Sequence, residues 1–309
     1  MRKLISLIGL LLTGVLSAFA ANNYSLQIGN VTWSGGPGGY NCFNNTAYPN
    51  TVNFTITKRV SGNRSYAVTA GTSANTGTYT RRLASGASTL NYQLYTSSAL
   101  ANVLEAPPTA NSSQVISGNS ASPSGTVIPL SFTFYIPPNQ LVPPGTYTDQ
   151  IRVSIFNSFN DQNPPEATAS ILFTAVVSSS ASLCLVPTGS GFNSSSANQT
   201  LNFGTLAQGQ TKSCDLLVLK NTGCTVTFNS ANLGVLKTTP TSTSDQIPYT
   251  CTVNGSAINL TQTASLTLPS GVSTTADGTR LPITITIGNL ANAAAGDYHD
   301  DITVTVTVQ

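Results

Sequence analysis

The chain repeats a segment of itself, and that repeat fixes the size and class of its folding unit. Pro144-Gly145-Thr146-Tyr147-Thr148-Asp149-Gln150-Ile151-Arg152-Val153-Ser154-Ile155 returns as Ala295-Gly296-Asp297-Tyr298-His299-Asp300-Asp301-Ile302-Thr303-Val304-Thr305-Val306, at a constant offset of 151 residues. Upstream, Thr126 to Ile136 matches Thr279 to Gly288, with Pro129 and Pro282 in register. The unit spans about 130 to 155 residues, the size of one domain. Each copy reads as a tight turn followed by a strand: Ile302, Val304, Val306 and Val308 point to one face while Thr303, Thr305 and Thr307 point to the other.

A tyrosine just ahead of such a strand is the mark of the tyrosine corner of immunoglobulin-like sandwiches. Tyr147 and Tyr298 are therefore expected to fill corners, and Asp149 and Asp300 to hold turn amides. Composition agrees with an all-β reading. Only 7% of residues are charged, and no long apolar stripe of helical period occurs. The expected fold is two tandem immunoglobulin-like β-sandwiches.

Residues 1–20 read as a signal peptide. Arg2 and Lys3 precede an apolar run from Leu4 to Leu12, and Ala18-Phe19-Ala20 has the small-residue cleavage pattern, so the mature chain is expected to begin at Ala21. Of 12 basic and 10 acidic residues, removal of Arg2 and Lys3 leaves the mature chain with equal numbers, which gives nucleic-acid binding no support. Export permits disulfides. Cys184, Cys214, Cys224 and Cys251 are the candidates, with three connectivities open, and Cys42 stands alone in the first half. One histidine and no C-x-x-C argue against a metal site. No catalytic set is expected either. His299 occupies the place of Thr148, and Glu105, Asp149, Asp161 and Glu166 show no spacing that marks a general acid. No cofactor is implied.

The two copies end differently. After its motif strand the first continues through Asn163-Pro164-Pro165 into Ala169 to Val177, an additional strand, whereas the second ends at Gln309. The second sandwich is thus expected to lack its final strand, leaving Ile302, Val304, Val306 and Val308 beside an open groove. The expected division is a signal peptide at 1–20, a complete sandwich at 21–177, a linker at 178–181 and an incomplete sandwich at 182–309.

The segment Leu90-Asn91-Tyr92-Gln93-Leu94-Tyr95-Thr96, with Arg81-Arg82-Leu83, Leu201-Asn202-Phe203-Gly204 and the two G-x-Y-x-D-x-I-x-V motifs, resembles the spore coat protein U domain of archaic, Csu-type chaperone–usher pili. The resemblance is read over essentially the whole mature chain. It implies a non-enzymatic pilus subunit, exported through the periplasm and displayed on the cell surface. A complete domain ahead of an incomplete one is the arrangement of a tip adhesin. The implied partners are a periplasmic pilus chaperone, an outer-membrane usher, the donor strand of an adjacent pilin and an abiotic or host surface. A structural coat subunit and a glycan-binding adhesin are the alternatives.

Three apolar loops of the first domain are candidates for surface attachment and biofilm formation, because exposed apolar loop tips mark binding surfaces. One contains Ala99, Leu100, Ala101 and Val103; another contains Leu141, Val142 and Pro143 within a proline-rich run; the third is the Gly-rich stretch Val31 to Gly38 with Trp33, which could as easily be a residue of the sandwich core. If a short strand near Ser113 to Ile116 intervenes, up-and-down parity puts the Ala99 and Leu141 loops at one end. The same parity returns Ala169 to Val177 to that end.

Overall fold

The computed structural model describes residues 22–33, 39–43, 46, 49–161, 163–238, 246–291 and 293–309. The expected leader, Ala21 and loop residues 34–38 lie outside the described residues. In the first half, β1 (Tyr24–Gln27), β3 (Asn50–Lys58), β9 (Val127–Tyr135) and β7 (Gln93–Tyr95) form one sheet in that order. The opposing sheet runs β2 (Val31–Thr32), β11 (Ala167–Val177), β10 (Gly145–Phe156), β4 (Arg64–Ala70), β8 (Ile116–Ser120). A hairpin of β5 (Arg82–Ser85) and β6 (Ser88–Asn91) attaches to β10.

The second half repeats this plan. Its larger sheet runs β12 (Ala181–Pro187), β13 (Thr211–Lys220), β19 (Thr279–Ile287), β16 (Gln246–Val253), β15 (Val235–Thr238), β20 (Tyr298–His299), with β17 (Ser256–Ile258) on β16. The smaller sheet is β18 (Ala264–Leu268), β14 (Cys224–Ser230), β21 (Ile302–Val308). Among the described residues no ladder joins β1–β11 to β12–β21. The fold is all-β, two tandem immunoglobulin-like sandwiches. β12 begins at Ala181, a residue the sequence reading assigned to the linker.

Matching the sheets strand by strand shows where the halves diverge. β12-β13-β19-β16 reproduces β1-β3-β9-β7, and β21-β14-β18 reproduces β10-β4-β8. The second sandwich has no described counterpart of β11 or β2. A shared pair of lysines anchors the match. Lys58 and Lys220 each end the inward row of β3 or β13, buried without a carboxylate. Lys58 Nζ donates to the Ser120 carbonyl at 2.9 Å, and Lys220 Nζ donates to the Pro269 and Gly271 carbonyls at 2.6 and 3.0 Å. A buried ammonium is tolerated only when such acceptors replace water.

The core of the first sandwich centres on Phe173 of β11. Its ring lies 5.1 Å from Phe134, 6.0 Å from Tyr92 and 6.2 Å from Phe132, centroid to centroid. β11 pairs with β10 along its full length, from Gly145↔Val177 to Ile155↔Ala167, and so extends the inner row with Ile171, Phe173 and Ala175. Phe173→Ala should therefore destabilise the first sandwich by about 3–5 kcal/mol, and Phe173→Asp should prevent its folding. Trp33 is the chain's one tryptophan and packs into this core, so its fluorescence during urea unfolding checks both outcomes.

Candidate functional site

Both copies of the repeated motif build the same corner. Tyr147 Oη donates to the Pro143 carbonyl at 2.8 Å and Tyr298 Oη to the Ala294 carbonyl at 2.9 Å, four residues back in each case. The aspartate two residues on ties the corner to the opposite sheet. Asp149 accepts from Tyr92 Oη at 2.7 Å and from the Gln150 and Asn75 amides; Asp300 accepts from Tyr249 Oη, from Ser230 Oγ at 2.6 Å and from the Asn232 amide at 2.9 Å. These carboxylates are occupied in holding turns. Of the other acidic residues weighed as catalytic, Asp161 caps its own loop at Asn157 and Asn163, and Glu166 binds the backbone and side chain of Asn23 and the side chain of Asn157.

The motif strands themselves differ. Ile151, Val153 and Ile155 of β10 are wholly buried beneath β11, with Ile171, Phe173 and Ala175. Their counterparts Ile302, Val304 and Val306 pack on the second core yet stay half-exposed, and Val308 is 38% exposed. β21 pairs with β14 on one side; among the described residues nothing pairs with its other side. The backbone donors and acceptors of that edge and the apolar row beneath it form a groove between β21 and β12, the first strand of the facing sheet.

The attachment loops need correction. Gly145↔Val177 pairing puts the Pro137–Pro144 loop at the end of the first sandwich from which Ser178–Ser180 leads to the second. Leu141 and Pro143 thus sit near the domain junction, and Val142 is buried, with the Cys42 thiol bonded to its backbone. Trp33 is also buried, edge-on to Tyr40 with centroids 5.7 Å apart. β7 runs from Tyr135 toward Thr133, so Ser97–Asn102 leaves in the opposite direction, away from the junction. Parity failed because the β5–β6 hairpin and the crossing through the Ser112–Gln114 turn break the up-and-down order. Ala99 and Ala101 are exposed, Leu100 and Val103 partly so, and Leu100 adopts a left-handed φ of 54°, unusual for a branched side chain.

All five cysteines are buried free thiols, so no disulfide joins the four candidates. Cys184 faces the outer cluster with Val186 and Leu217, whereas Cys214 and Cys251 face the core from strands separated by β19. Two strand spacings, roughly 10 Å, exceed the reach of a disulfide. Burial pushes the Cys251 and Cys42 thiols up to about 11.

The junction contains residues that sequence reasoning missed. Asn221, in the turn after β13, straps the linker: its amide group accepts from Ser180 N at 2.8 Å and donates to the Ser178 carbonyl at 2.9 Å. It also meets the Cys42 thiol of the first sandwich. Gly39, at φ +102°, lets the segment before Cys42 pack on the end of β11, where a Cβ would collide with the Val176 carbonyl. Asn41 and Phe43 then reach a cleft beside Ala181, Ser182, Val306 and Val308, at the end of the groove. An Asn-rich segment without hydrophobic periodicity carries no signal of this in sequence.

Residues 30–154 match the Spore Coat Protein U domain model, a narrower span than the whole-chain resemblance read from the sequence. A solved structure from the CsuC–CsuE chaperone–tip adhesion subunit pre-assembly complex, from archaic Csu pili of Acinetobacter baumannii, is similar with a TM-score of 0.50 at 17% identity. The alignment covers 92% of this chain and 99% of that one. The CupB6 tip adhesin of Pseudomonas aeruginosa aligns at TM-score 0.38 and 11% identity, over 92% and 94% of the two chains. At such identities the first likeness speaks to the fold and the second adds no argument. No curated protein matches the chain in sequence.

The corner bonds have a pH signature. Burial raises the Tyr92 phenol well above its ordinary 10.0, with the hydrogen bond to Asp149 acting in the same direction. Unfolded Tyr92 therefore loses its proton near pH 10 while the folded one keeps it, so stability is full below pH 10 and falls above it. Tyr92→Phe should cost about 1–3 kcal/mol at neutral pH, because Asp149 loses a buried donor. It should also make the alkaline decline shallower, as urea unfolding at pH 7 and pH 11 will show.

Proposed function

Because residues 30–154 match the Spore Coat Protein U domain model, we propose that the chain is a pilus tip adhesin whose second sandwich is completed by a strand from another subunit. The observation that carries this reading is the contrast between two copies of one motif strand. Ile151, Val153 and Ile155 are covered; Ile302, Val304 and Val306 have the same place in the fold and lack the cover. An added strand would meet a bare row of backbone groups for its ladder and an apolar floor for alternate side chains, the requirements of β-augmentation. A periplasmic chaperone would occupy the same edge before assembly, and an usher would exchange it for a pilin strand.

The first strand of the first sandwich is used within its own domain. Tyr24–Gln27 is already paired with β3, and Asn22 and Asn23 are bonded to Glu166. These residues serve their own domain and are not free to donate a strand. The first sandwich, with its edge filled by β11, is left to make the surface contact. The loop around Leu100 is the apolar element that faces away from the junction, and it takes over the role expected of three loops.

Domains have stability margins of only roughly 5–15 kcal/mol, so an uncovered edge should decide solubility. The mature chain expressed alone in the periplasm should aggregate or melt without a cooperative transition in its second sandwich. Co-expression with a pilus chaperone should yield a soluble complex. Cooperative, reversible melting of both sandwiches in the unaided monomer would overturn the reading. In assembled pili, Leu100→Asp should reduce attachment to plastic several-fold while leaving piliation by electron microscopy unchanged; undiminished attachment would remove this loop from the contact.

A further inference from the structure

The end of the groove nearest the first sandwich is built differently in the two halves. Tyr24 opposes Lys58 in the first, and Ala181 opposes Lys220 in the second. Since the two lysines are equivalent, so are Tyr24 and Ala181, and the segments Tyr24-Ser25-Leu26 and Ala181-Ser182-Leu183 share their next two residues. Tyr24 is completely buried, and the neighbouring Asn23, Asn157 and Glu166 close the corner around it with hydrogen bonds. The β11 residue at this level, opposite Ile155, is Ala167. The first sandwich thus fills the corner with a large residue from its first strand and a small one from its last.

In the second sandwich the large residue is missing. Ala181 replaces Tyr24, and Val308 stands at the position of Asn157, with Val306 at that of Ile155. At this end lies an open cleft lined by Ala181, Val306, Val308 and the linker serines, with Asn41 and Phe43 of the first sandwich as its far wall. Protein interiors are close-packed, so a strand that completes this sandwich must supply the missing volume itself. Resting on the strand-completion reading above, we propose that the incoming strand carries a bulky apolar side chain opposite Val306, held jointly by Ala181, Val306 and Val308 and by Phe43 of the first sandwich. Binding of the strand would thereby fix the two domains against each other, since one side chain touches both.

The probes are two synthetic peptides whose binding is read as displacement of the co-expressed chaperone from its complex with the mature chain: one with the Ala167–Val177 sequence and one with Ala167→Phe in it. The Phe peptide should bind at least about tenfold tighter, the factor expected for burying one such side chain. Ala181→Tyr, which recreates the corner of the first sandwich, should abolish that preference without weakening the unsubstituted peptide. Phe43→Ala should reduce the preference while leaving the unsubstituted peptide unaffected. Equal binding of the two peptides overturns the pocket, and a preference indifferent to Phe43→Ala overturns the first sandwich's share in it. Failure of both peptides to bind overturns the strand-completion reading on which the pocket rests.

Discussion

A strand in a β-sandwich is stable when its inner row is covered and both its edges are paired, and the β10–β11 ladder is where this chain meets that requirement. Eleven consecutive residue pairs join the two strands. The ladder satisfies the backbone groups of β10 and brings Phe173 into the aromatic cluster with Tyr92, Phe132 and Phe134. Remove that ladder and the remaining sheets are those of the second sandwich: β21 paired on one side, its apolar row half-exposed. Similar motif strands are thus buried and paired on both edges in one domain, and half-exposed and paired on one described edge in the other.

Much of this was legible in the sequence because the β period is short and strict. The alternation from Ile302 to Val308 gave the inward row, the Gly and Tyr of each motif gave the corner, and the residues after Ile155 gave the extra strand. What the sequence did not reveal depends on long-range path. Trp33 in its Gly-rich stretch suits a loop tip and a core equally well, and only its packing against Tyr40 decides for the core. Leu141 and Val142 read as a loop tip, yet the β10–β11 register places them beside the linker. Counting strands cannot foresee a hairpin that attaches to one sheet and a crossing that skips to the other.

The junction was illegible for another reason. Its key residue is Ala181, which matters through the absence of a ring that Tyr24 supplies elsewhere. Recognising it requires knowing that Lys58 and Lys220 are equivalent, and that follows from the carbonyls their ammonium groups meet rather than from flanking sequence. With that equivalence the two domains become one plan, with β11 present in the first and no described counterpart of it in the second. Asn221, binding both the linker and the Cys42 thiol, holds this end of the second sandwich against the first.

The central claim is that β21 carries an unfilled edge where β10 carries a filled one. Hydrogen exchange of the full chain, read by mass spectrometry on peptides from 145–156 and 302–308, tests it most directly. The account predicts slow exchange across β10, fast exchange across much of β21, and slowing of β21 alone when an extended apolar strand is added. Equal protection of the two segments without any added strand would contradict it.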